Sequence, residues 1–177
     1  VPSLDDAQSL IDLIHESHPE AALAHRLDMD TSGIVIAAKS SQVASMLQRQ
    51  FESRTVKKRY VAVIEGKSTI GESGVIDLPI IRNPFDSPRQ AVNYEYGKPA
   101  KTRYEFVDTN RVLLYPETGR THQLRIHCAH TDGLGSPIKG DNLYGTPADR
   151  LHLHAEYIEF VHPVTKTPMS FTVPAEF

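Results

Sequence analysis

Asp28, Tyr60 and Arg125 are the residues of this chain whose types could act together on a substrate. Asp28 stands in His25-Arg26-Leu27-Asp28-Met29-Asp30-Thr31-Ser32-Gly33, behind a basic, hydrogen-bonding pair and ahead of a turn. The apolar run Ile34 to Ala38 follows and reads as a strand. A loop leading into a strand exposes a carboxylate while the strand holds it still. Such a carboxylate can attack an electron-poor carbon or take a proton from a C–H bond. It must remain ionised where water is excluded, and burial by itself opposes that. An arginine alongside favours the ionised form and stays charged itself. A tyrosine can lie on a planar base and offer an oxygen for proton transfer. The same three residues would serve equally as a buried Asp–Arg pair beside a core tyrosine.

Other chemistries fit less well. Nine histidines raise the question of metal. His152 and His154 would share a strand face, and His122 and His127 lie on a helix. Neither pair has a cysteine pair or a second carboxylate at familiar ligand spacing, so no metal is expected. His152 and His154 read instead as hydrogen-bonded residues at a strand start. There is no Gly-x-Ser-x-Gly elbow, Walker loop or dinucleotide fingerprint, and no cofactor is expected. Cys128 is the only cysteine and reads as a small apolar group on a helix. With no internal disulfide possible, a reducing compartment, the cytoplasm, is expected.

The elements that must position these residues can be read in outline. Ser3-Leu4-Asp5-Asp6 resembles a capping box, with Leu10, Ile11 and Ile14 at helical spacing after it and a stop near His18-Pro19. A second helix runs from Ser41 to Phe51, and its Val43, Met46, Leu47 and Phe51 form a core stripe. Strands are expected over Tyr60 to Glu65, Gly74 to Ile81, Thr102 to Val107 and Arg111 to Tyr115. A proline-bearing loop spans Asn83 to Arg89. Thr121 can cap a short helix carrying Gln123, Leu124, Arg125 and Cys128, ended by Gly133 and Gly135. His154 to Phe160 and Met169 to Val173 read as a closing hairpin. The fold class is therefore α+β, a mixed, mainly antiparallel sheet flanked by helices and loops, in one domain over residues 1–177.

At 177 residues the chain can bury a sizeable core. Its apolar runs are too short to span a bilayer, and no membrane partner is expected. The net charge of −3 hides an uneven distribution. Residues 1–30 hold seven acids and one base, whereas the remainder hold 15 acids and 18 bases. Local sign governs binding, because screening limits each charge to roughly 8 Å at physiological salt. Lys57, Lys58 and Arg59 lie beside Tyr60, although such a run also suits the solvated start of a strand.

HRLDMDTSG, KKRY, GKPAKTRYE, PETGRTHQLRIH, PIKGDNLYG and LHLHAE occur here in that order. Together they resemble the RluA-type pseudouridine synthases over nearly the whole chain, and look closest to the branch lacking an S4 domain. The resemblance implies isomerisation of uridine to pseudouridine in ribosomal or transfer RNA, with no cofactor; a monomer is the default expectation. It implies that Asp28 is the catalytic aspartate and that Tyr60 packs on the target base. It implies that Arg125 pairs with Asp28 and that Arg26 fills the space left by a flipped-out uridine. Lys57, Lys58, Arg59 and Arg120 are then expected phosphate contacts. Asp30 is read as tying its own turn by an Asx-type bond. The family usually carries a strand and an Asn-Lys-Pro motif ahead of a Val-Pro like Val1-Pro2, so a short preceding segment is expected. A non-catalytic RNA-binding module is the alternative.

Overall fold

A computed structural model describes residues 8–177 of the chain. Helix α1 (Leu10–His15) starts at Ser9, whose hydroxyl accepts from the Asp12 N–H while the Asp12 carboxylate accepts the Ser9 N–H. The capping box expected at Ser3–Asp6 lies outside the described residues. The chain then forms β1 (Ala22–Leu23), β2 (Ser32–Gly33), β3 (Ala37–Ala38) and α2 (Ser41–Glu52). Next come β4 (Lys57–Val63), β5 (Ser73–Asp77), β6 (Ile80–Arg82), β7 (Gln90–Val92), β8 (Lys101–Phe106) and β9 (Arg111–Pro116). Helix α3 (Gln123–Ala129), β10 (Leu153–Val161) and β11 (Pro168–Thr172) complete it.

The main sheet has the order β11-β10-β4-β9-β8-β5, antiparallel throughout, with β2 added parallel to β10. The α+β reading holds. Alternate residues Val56, Lys58, Tyr60, Ala62 and Ile64 share one face of β4, as period two requires. A bulge in β10 at Glu156 brings Ile158 and Phe160 onto the face that already carries Leu153 and Ala155. Both helices that matter to the site cover this face. Leu124 and Cys128 of α3 pack on Ala62, Ile64, Val112, Leu114 and Leu153. Ala44 and Leu47 of α2 pack on Val56, Ile158 and Phe160, with Val43 and Phe51 at the margin. Of the expected α2 stripe, Val43, Leu47 and Phe51 join this core, and Ala44 rather than Met46 completes it.

Three elements differ from expectation, each for a physical reason. Ile34 to Ala38 is not one strand. Gly33 has φ 116°, and a Cβ there would lie 2.4 Å from the Ala155 carbonyl oxygen, so the chain crosses close over β10. Ile34 and Ile36 pack beneath α2, and their N–H groups go to the Ala155 oxygen and the His25 ring. Gly74 to Ile81 breaks at Pro79, which cannot donate to a ladder. Its first part joins the main sheet, and β6 pairs with β7 as a separate hairpin closed by the Asn83–Arg89 loop. Strand β4 starts at Lys57, three residues before the expected start, so the basic run lies within the strand.

Helix α3 is tied by polar groups as well as apolar ones. Thr121 does not cap it; the N-cap is His122, at φ 52°, with no side-chain cap bond. The Gln123 side chain instead ties the helix start to its surroundings, accepting from the Arg120 N–H and the Thr118 hydroxyl while its own amide donates to Lys101 O and Thr102 Oγ1. One turn later His127 is fully buried, its ring nitrogens meeting Thr102 Oγ1 at 3.0 Å and Leu78 O at 3.2 Å. Burial lowers its pKa to about 4 from 6.5. The unfolded chain therefore takes up this proton more readily, and the contribution present above pH 6.5 is lost as pH falls toward 4. Thermal unfolding midpoints should hold steady above neutrality and fall below it, with at most roughly 3 kcal/mol of unfolding free energy lost to this one group. His127→Gln should flatten that slope when midpoints are compared across the same pH series.

Candidate active site

A cleft of about 550 Å³ lies between the C-terminal end of α2 and the segment leading into α3. Its floor is the helix-covered face of the sheet, with Val56, Lys58, Tyr60 and Leu153. Arg26, Leu27, Asp28 and Thr31 form one wall, and residues 116–121 form another. Asp28 and Tyr60, 32 positions apart in the chain, meet here because the HRLD loop runs over the open stretch of β4 between the two helices.

The loop is anchored on both sides of the carboxylate. Upstream, His25 Nε2 accepts the Ile36 N–H at 3.0 Å and its ring stacks on Phe51 with centroids 4.6 Å apart. Burial, with the Lys58 charge adding to it, lowers the His25 pKa to about 4, against a backbone hydrogen bond at Arg26. The ring is therefore neutral and can accept that N–H at physiological pH. Downstream, the Asp28 carbonyl accepts the Thr31 N–H at 3.0 Å, closing the turn. This backbone bond replaces the Asx-type bond expected of Asp30, whose carboxylate has no hydrogen-bond partner among the described residues. Asp28 lines the cleft and Asp30 does not.

Tyr60 is pushed up to about 12 by burial first and by the Asp28 charge second. It is a phenol, not a phenolate, across the physiological range. Lys58, on the same face two residues earlier, has its pKa lowered by burial, and no carboxylate pairs with it among the described residues. Arg26, Arg54, Lys58 and Arg120 face Asp28, Glu52 and Glu117 around the cleft, so its local sign is opposite to that of the whole chain. Arg120 is held by a 3.1 Å bond from Nε to Pro99 O.

The basic run of β4 is split by the pleat. Lys57 and Arg59 point to the opposite face, where they pair with Glu159 at 2.7 Å and Glu156 at 2.8 Å. Arg59 also lies over the Tyr157 ring, 5.3 Å from its centroid. Of the expected phosphate contacts, Lys58 and Arg120 reach the cleft and Lys57 and Arg59 do not.

Arg125 also departs from expectation. It is buried beneath the cleft, and its salt bridge is with Asp141, at 2.6 Å with both side chains almost wholly shielded. Burial alone would lower its pKa, but the Asp141 hydrogen bonds and charge outweigh it, with Asp28 and Asp30 adding, so its pKa is raised. Asp28 thus acts on Arg125 through its field, and the ion pair itself belongs to Asp141. His25, Gln123 and Asp141 were missed as site residues in the sequence. His25 and Asp141 lie in the HRLD and PIKGDNLYG motifs, which was the available signal. Cys128 is buried and its thiol is pushed up by burial, consistent with an inert core group. His152 and His154 hydrogen-bond to Arg150 O, Ser32 and Val173 O, and no cluster of three or more potential metal-binding side chains occurs among the described residues.

Residues 7–130 match the family model for RNA pseudouridylate synthase. The chain belongs to that family of enzymes, which isomerise uridine in RNA. Similarity to named relatives places it in the RluA-type branch. It is 44% identical, over 96% of its length and 80% of theirs, to the dual-specificity RNA pseudouridine synthases RluA of Salmonella typhi and Escherichia coli K12. Among solved structures, human RNA pseudouridylate synthase domain containing 1 superposes with a TM-score of 0.80 at 29% identity, over 96% of this chain and 75% of that one. No helix among the described residues is long and apolar enough to cross a membrane.

Because the pleat separates the basic residues, their substitution should separate too. Lys58→Ala and Arg120→Ala should each weaken RNA binding and lower the slope of log K against log salt by about one. Lys57→Ala and Arg59→Ala should leave that slope unchanged. Fluorescence anisotropy over a salt series measures all four, and equal slopes for every variant would contradict this division.

Proposed function

We propose that the cleft carries out site-specific conversion of uridine to pseudouridine in structured RNA, with Asp28 as the reacting carboxylate. The observation that carries this reading is the meeting of Asp28 and Tyr60 over one basic cleft. In the reaction the bond between ribose C1′ and uracil N1 breaks, the uracil turns, and its C5 bonds to C1′. The proton on C5 is then lost and N1 gains one, so no redox partner is required. Asp28 acts on the ribosyl–uracil unit and is free as a carboxylate again once the new C–C bond forms.

Tyr60 packs on the uracil and relays the C5 proton. A phenol held near 12 does not ionise beforehand, so it accepts that proton only while handing its own to Asp28, which releases it to solvent as N1 takes one up. The uridine must leave its stack to reach the cleft, which costs a few kcal/mol. Arg26, Lys58 and Arg120 offset that cost through backbone contacts, with Arg26 occupying the vacated space. A loop in large-subunit ribosomal RNA, in transfer RNA or in both is the substrate, since its bases are already partly unstacked. The dual-specificity names of the bacterial relatives support a motif shared by two RNAs.

Tritium release from C5-labelled uridine, in RNA lacking pseudouridine, tests the reading. Asp28→Asn should bind RNA like the wild type and lose at least about a thousandfold in rate. Tyr60→Phe should lose about a hundredfold or more while still packing on the base. Full activity in Asp28→Asn would remove that residue from the mechanism, and salt-sensitive binding without release in the wild type would favour a binding module.

A further inference from the structure

The segment Asp141-Asn142-Leu143-Tyr144 has no part in the chemistry described so far, yet it governs Arg125. Asp141 is fully buried. Its Oδ2 accepts from Arg125 Nε at 2.8 Å and its Oδ1 from Nη2 at 2.6 Å. The same Oδ1 accepts the N–H groups of Leu143 at 2.9 Å and Tyr144 at 3.0 Å, so the carboxylate cannot rotate without breaking backbone bonds. Asn142 Oδ1 takes the other Nη2 proton at 3.0 Å. The Tyr144 ring lies against the guanidinium, its centroid 5.5 Å from Cζ. That ring is itself fixed, because its hydroxyl accepts the Gln90 N–H at 2.7 Å and meets His122 Nδ1 at 2.9 Å.

All protons on Nε and Nη2 are thereby assigned. Nη1 carries two more, and no acceptor among the described residues takes either. A guanidinium gripped along one edge and packed on one face has a single orientation. The arrangement also prevents Arg125 from turning its whole fork onto Asp28, which would leave the reacting carboxylate fully paired.

We infer that Asp141 and Asn142 are positioning residues, holding Arg125 by Nε and Nη2 so that Nη1 is the donor presented to Asp28 during the reaction. This rests on the proposed reading of Asp28 as the reacting carboxylate and extends it to Arg125 as the guanidinium that acts on Asp28, and the experiment separates the two. Asn142 is exposed, so Asn142→Ala does not put the fold at risk. It should lower kcat about five- to tenfold, with KM for RNA and the melting temperature unchanged. Asn142→Asp keeps an acceptor and should stay within about twofold of wild type. Asp141→Asn should lose more in kcat, read alongside its melting temperature because the pair is buried. An unchanged kcat in Asn142→Ala, or a loss that tracks melting temperature across the variants, overturns the positioning role. No tritium release from the wild type would instead overturn the reading of the site itself.

Discussion

Side-chain alternation along β4 is the constraint on which the rest of the molecule depends. One face carries Val56, Lys58, Tyr60, Ala62 and Ile64, of which the two ends of the series are core. Lys58 and Tyr60 in the middle are half-buried and face the cleft, because α2 and α3 sit on either side of them. The cleft is therefore a gap in the helical layer. Its floor is as rigid as the sheet, since β4 is hydrogen-bonded on both sides, to β10 and to β9. The bulge at Glu156 serves the same constraint from the neighbouring strand. Without its extra residue Ile158 and Phe160 would point away from α2, and that helix would lose the surface it packs on.

A second theme is how polar groups are buried around α3. Six of its residues are buried, among them Gln123, Arg125 and His127. Each is bonded by partners from different parts of the chain: Thr118 and Thr102, Asp141 and Asn142, Leu78 and again Thr102. Apolar packing alone tolerates small sliding of a helix on a sheet. A set of directed bonds does not, because any displacement strands a buried donor or charge. The helix that carries Arg125 is thus held in one register on the sheet.

Much of this was legible in the sequence. The α+β class, α2 with its stripe, β8, β9 and the closing hairpin follow from periodicities and turn residues that local steric rules enforce. So does the placement of Asp28 on a loop ahead of a β-rich region. The failures have a common origin in tertiary contact. Ile34 to Ala38 has a strand's composition, but its backbone partners are spent on Ala155 and His25. Thr121 has a cap's chemistry, but His122, in a left-handed conformation, takes the N-cap position. Pro79, plain in the sequence, divides one expected strand between two sheets.

The sequence by itself determined which residues could react and, through ordered motifs, the family to which they belong. Period two along β4 already implied that Lys57 and Arg59 would part from Lys58 and Tyr60. Only the tertiary structure decided which of those two faces the helices would cover, and so which basic residues would line the cleft. It alone decided the partner of Arg125. Asp28 and Asp141 are both aspartates in ordered motifs, and neither motif says which of them the guanidinium takes. The difference arises from desolvation. A carboxylate sealed from water must be met by directed donors, so the buried Asp141 takes the guanidinium edge while Asp28, at the cleft, stays open to substrate.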